Sequence, residues 1–113
     1  MIRFLVFSDL HYDEVADGDE RIDNILRNAR SRRLDFIVSL GDLCKPISEN
    51  CGVLDKFHSL GIPFYSVIGN HETDECGLSE ITEFFSLENP YYSVRCGDYK
   101  LIFLNTCYLK ENG

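Results

Sequence analysis

The chain has 113 residues, enough for one domain with a modest core, and its 44% hydrophobic and 27% charged content is that of an ordinary globular protein. Nineteen acidic against eleven basic residues give a formal charge of −8, which argues against binding a nucleic-acid polymer or an anionic membrane. The five cysteines include no C-x-x-C pair, which disfavours a zinc ribbon or a secreted disulfide framework.

An apolar run, Ile2–Phe7, reads as a first strand and ends at Asp9-Leu10-His11. A polar loop, Tyr12–Gly18, leads to a helical segment from about Asp19 to Arg33. Its Ile22, Ile25, Leu26 and Ala29 form one buried stripe, Gly18-Asp19 serves as N-cap, and Arg30, Arg32 and Arg33 suit the negative end of the dipole. The run Phe36–Leu40 is a second strand and ends at Gly41-Asp42. A looser helical pattern follows, with Val53, Leu54, Phe57 and Leu60 on one side, stopped by Gly61 and Pro63. Pro63–Ile68 contains a third strand, Phe64–Ile68, and runs into Gly69-Asn70-His71-Glu72. Ser79 can cap a short helix lined by Leu78, Ile81 and Phe85, which Asn89-Pro90 ends. Tyr91–Arg95 and Leu101–Leu104 flank Gly97-Asp98 as an antiparallel hairpin added to the sheet.

Strands about thirty residues apart with helical patterns between them read as βαβ units of a parallel sheet. Open α/β sheets bind ligands at the carboxyl ends of their strands. The three polar clusters should therefore converge at one rim.

Asp9 and His11 stand at i and i+2, on one side of an extended chain, so one cation can take a carboxylate and an imidazole from a single strand end. Asp42 follows a glycine that allows close backbone approach, and its two oxygens could bridge two cations about 3.5–4 Å apart. Asn70 offers an amide oxygen to the second cation. His71 is then free to protonate a leaving alkoxide as general acid. These are the parts of a phosphoester hydrolase that needs no serine, cysteine or lysine nucleophile.

The ordered set Asp9-Leu10-His11, Gly41-Asp42 and Gly69-Asn70-His71-Glu72 resembles the D-x-H, G-D, G-N-H-(D/E) signature of the calcineurin-like metallophosphoesterase superfamily. Tyr91-Tyr92-Ser93-Val94 and Leu101–Asn105 look like the hairpin that follows it in many bacterial members, so the resemblance spans nearly the whole chain. It implies an α/β fold, βαβαβα then a β-hairpin, forming the amino-terminal half of a β-sandwich flanked by helices. It places Asp9, His11 and Asp42 on one metal, Asp42 and Asn70 on the other, and His71 as the acid. Two divalent ions, Mn, Fe or Zn, would act through a bridging hydroxide on a phosphomonoester, phosphodiester or nucleotide pyrophosphate. Family members also carry a downstream histidine and a G-H-x-H motif. No histidine follows Leu104 here, so residues 1–113 are expected to be a partial domain lacking its carboxy-terminal half, nearly inactive alone.

Where protein phosphatases of the family read G-D-x-V-D-R-G, this chain has Leu43-Cys44-Lys45-Pro46 after Asp42, which disfavours that subgroup. His58 sits at a helix end, at the opposite rim. Cys44 reads as a half-buried thiol, Lys45 as a solvated lysine, and Asp13, Asp17 and Asp19 as solvated surface. Glu72 reads equally as a partner of a histidine or as the opening of the next loop. The expected compartment is the cytoplasm, since no signal-peptide pattern or apolar run of roughly twenty residues is present. The competing expectation is a truncated, non-catalytic domain that self-associates as a homo-oligomer through exposed sheet surface.

Overall fold

A computed structural model of the chain describes residues 1–69 and 76–105. The order is β1 (Phe4–Phe7), α1 (Gly18–Arg30), β2 (Phe36–Ser39), a single 3-10 turn (Ser48–Asn50), α2 (Cys51–His58), β3 (Phe64–Ser66), α3 (Leu78–Phe84), β4 (Tyr92–Cys96) and β5 (Tyr99–Phe103). The first three strands form a parallel sheet in the order β1-β2-β3, with Leu5, Ile37 and Phe64 aligned across it. All four residues of the central β2 are buried, as a strand covered on both faces requires.

The pleat sends alternate residues to opposite layers. On the helical side Phe57 of α2, fully buried, stacks on Phe7 at 5.4 Å and on Phe64 at 4.6 Å between ring centroids. Ile22 and Leu26 of α1, Val53 and Leu54 of α2, and Leu10, Leu43 and Cys44 from the strand-to-helix loops complete that core. Burying a side chain such as Phe57 stabilises by about 1.5–3 kcal/mol, and truncating it to alanine costs about 3–5 kcal/mol once the cavity is included. On the other side Phe36 and Val38 of β2 meet Phe103 of β5, flanked by Tyr65, Val67, Tyr92 and Val94. Rings run continuously from Phe4 through Phe36, Tyr65 and Phe103 to Tyr92, each within 6.2 Å of the next.

The hairpin is therefore a second layer and not an extension of the first. β4 and β5 pair antiparallel with each other as a separate two-stranded sheet. Its anchor is Tyr92, whose hydroxyl donates to Ser66 O at 2.6 Å and accepts from Ser66 N at 3.0 Å. This differs from the expected addition to the parallel sheet. The alternation Tyr92, Val94, Cys96 that signals a strand faces the other sheet and does not specify a hydrogen-bonded neighbour.

Helix ends differ too. α1 starts at Gly18 after Asp17, whose carboxylate makes no cap bond and instead pairs with Arg21 Nε at 3.0 Å. α3 is capped at Gly77, where Glu80 reaches back to the Gly77 amide at 3.4 Å, so Ser79 lies inside the helix. His58 closes α2, exposed and edge-on to Phe64, at the end of the sheet away from Asp9 and Asp42.

Candidate metal centre

Beyond Phe7 and Ser39 the two chains keep running side by side. The Asp9 amide donates to Gly41 O at 3.1 Å, the His11 amide to Asp42 O at 2.9 Å and the Tyr12 amide to Leu43 O at 3.0 Å. These bonds extend the β1–β2 pairing into the loops and hold Asp9, His11 and Asp42 together. One ligand atom from each of the three lies within 4.8 Å of the others.

All three residues have positive φ: 55° at Asp9, 50° at His11 and 54° at Asp42. Residues other than glycine rarely adopt this left-handed conformation, which costs of order 1–3 kcal/mol each and persists where the surroundings over-determine it. It replaces the extended geometry expected for Asp9 and His11. Their side chains still converge, because Leu10 between them is buried in the core and turns both outward.

The glycines of the motifs allow the strand ends to meet. Gly41 has φ +115°, and a Cβ there would lie 2.8 Å from the Gly69 Cα. A Cβ on Gly69 would overlap both the Asp42 carboxylate and the Asp42 amide. Asp42, 8% exposed, thus sits between the β1 loop and the end of the β3 segment.

Electrostatics at the rim favour a charged carboxylate. The Ser8 hydroxyl donates to Asp9 Oδ2 at 2.6 Å. That bond first, then a hydrogen bond shared with Asp42 and the proximity of His11, holds Asp9 below the usual carboxylate range. His11 Nε2 stands 3.4 Å from Asp9 Oδ1, while Nδ1 faces Glu14 Oε2 at 3.3 Å. The imidazole therefore has one nitrogen toward the cluster and the other toward a carboxylate, the arrangement usual around metal-binding histidines. Two carboxylates and one imidazole at this spacing fit a hard-to-borderline divalent cation.

Asn70, His71 and Glu72 lie outside the described residues. Cys44 is buried in the helical core, more deeply than the half-buried position expected. The acidic loop is exposed yet bonded. Asp13 accepts from the Lys45 amide and from Asn50, and Asp19 accepts from the Tyr12 hydroxyl at 2.8 Å and faces Lys56 Nζ at 3.4 Å. Sequence reasoning missed Glu14 and Asn50. The i, i+3 spacing of His11 and Glu14 was a usable signal, whereas no local pattern links Asn50 to Asp13, 37 residues away.

A family model described as calcineurin-like phosphoesterase matches residues 2–110. The chain belongs to the calcineurin-like phosphoesterase family. Its structure is similar to the crystal structure of a dimetal phosphatase from Danio rerio, with a TM-score of 0.61 at 15% identity over 73% of this chain. At that identity the likeness speaks for the fold. The match covers 33% of the zebrafish protein, so this calcineurin-like chain spans about a third of the length of that phosphatase. Among curated proteins no match is found. No helix among the described residues is long and apolar enough to cross a membrane.

Proposed function

We propose that this chain supplies the first ligands of a dinuclear centre in a metal-dependent phosphoesterase, with a small phosphomonoester, phosphodiester or nucleotide pyrophosphate as substrate. The observation that carries the reading is the convergence of Asp9, His11 and Asp42 within 4.8 Å at the carboxyl rim of the parallel sheet. When bound, divalent cations of this kind lower the pKa of water and neutralise charge on phosphoryl oxygens. Asp9, His11 and Asp42 would hold one cation, and Asp42 and Asn70 would serve a second. His71 would give its proton to the departing alkoxide. Mn, Fe and Zn all suit these donors, and the cytoplasm is the proposed compartment.

In this reading residues 1–113 are a partial domain that supplies part of the ligand set, in keeping with a match to 33% of the dimetal phosphatase chain. The test is hydrolysis of bis-p-nitrophenyl phosphate with Mn²⁺ by the protein carried to the stop codon of its reading frame. Turnover that falls at least about 100-fold in Asp42→Asn and in the 113-residue chain supports the proposal. Equal turnover by parent and Asp42→Asn contradicts it.

One observation favours a second reading. Phe4, Val6, Leu40, Ile102 and Leu104 are each 43–64% exposed, apolar side chains through which the chain could associate with its own copies as a non-catalytic domain. Sedimentation that shows a dimer without metal-dependent hydrolysis would select it.

A further inference from the structure

Asn50 ends the 3-10 turn that runs into α2, and its side chain makes no cap bond to that helix. It is 5% exposed, and its Nδ2 donates instead to Asp13 Oδ1 at 2.8 Å and to Lys45 O at 2.9 Å. The other oxygen of Asp13 accepts the Lys45 amide at 2.6 Å. Asp13 follows His11 by two residues and Lys45 follows Asp42 by three, so the three groups close a ring across the two loops that carry the ligands.

We infer that Asn50 and Asp13 are a positioning pair that sets the metal affinity of the Asp9–His11–Asp42 cluster. The inference rests on the metal centre proposed above. Backbone pairing between the loops runs from Asp9 to Tyr12 on one side and Gly41 to Leu43 on the other. Past that point only side chains can keep the loops together. Three ligands held at positive φ need their loops fixed from both ends, because a relaxed loop would return them to ordinary backbone conformations and part the donor atoms. The sheet fixes one end. The Asn50–Asp13–Lys45 ring fixes the other through a buried donor.

The experiment is Mn²⁺ binding, read from loss of the free-ion six-line EPR signal, together with thermal unfolding of each variant without metal. Asn50→Asp sets two carboxylates against each other and should weaken Mn²⁺ binding about tenfold or more, the usual effect of removing a partner that supports a ligand. Adding Asp13→Asn restores the amide–carboxylate bond but not the donation to Lys45 O, so affinity should recover in part. A pair serving stability alone would lower the melting temperature and leave the affinity of the folded chain unchanged, which would overturn the inference. A double variant that binds no better than Asn50→Asp would overturn it as well. Should Asn50→Asp fail to fold, Asp13→Ala, on an exposed side chain, carries the same expectation and the same refutation. Parent binding that Asp42→Asn does not diminish removes the metal centre itself. Parent binding that only the Asn50 and Asp13 variants leave unmoved removes the positioning pair alone.

Discussion

The carboxylate of Asp42 occupies the space that a side chain on Gly69 would need. The glycine of the third motif is thus a consequence of the aspartate of the second. Gly69→Ala should displace Asp42, cost about 1–3 kcal/mol of stability as overpacking does, and abolish Mn²⁺ binding. Gly52→Ala is the matched control. Nothing lies within 4 Å of its Cβ, and in α2 it should gain about 0.5–1 kcal/mol with metal binding intact. Chemical denaturation and Mn²⁺ titration of the two variants check both statements.

Glu14 should act on the metal through His11. Facing Nδ1 at 3.3 Å, it favours the tautomer with that nitrogen protonated and leaves Nε2 as the donor. Glu14→Ala should raise the Mn²⁺ dissociation constant about tenfold while leaving unfolding nearly unchanged, since the side chain is exposed. Equal affinities in parallel titrations would show that His11 orients itself.

Tyr92 predicts an alkaline loss of stability. Burial holds its hydroxyl pKa above the usual tyrosine value. A group whose folded pKa is raised contributes stability that is complete below its unfolded pKa, about 10, and disappears as pH climbs through the folded value. Tyr92→Phe also strips both bonds to Ser66, so at pH 7 it should cost about 1–3 kcal/mol. Between pH 9 and about 11 the parent should lose more stability than the variant. Urea denaturation at those pH values shows whether the two curves converge.

The parallel sheet and its rim were legible because apolar runs, helical stripes and terminal polar clusters all repeat in one order from Ile2 to Gly69. Membership of the family followed from the same clusters. The placement of the hairpin was not legible, because the alternation of Tyr92, Val94 and Cys96 reports a covered face and is silent on whether the neighbour is bonded edge to edge or packed above. Positive φ at Asp9, His11 and Asp42 was equally hidden, since for Asp and His it is a minority conformation imposed by the tertiary surroundings. Asn50 carried no signal in the sequence, since only the tertiary fold brings Asp13 within its reach. Asn70 and His71, expected as ligand and acid, fall outside the described residues.

Asp9, His11 and Asp42 are proposed to hold one divalent cation. Crystals of the protein soaked in Mn²⁺ and measured for anomalous scattering test this most directly. A peak is expected about 2.0–2.3 Å from the Asp9 carboxylate, the His11 Nε2 and the Asp42 carboxylate, lost in Asp42→Asn. A map with manganese bound elsewhere and none among these three side chains would contradict it.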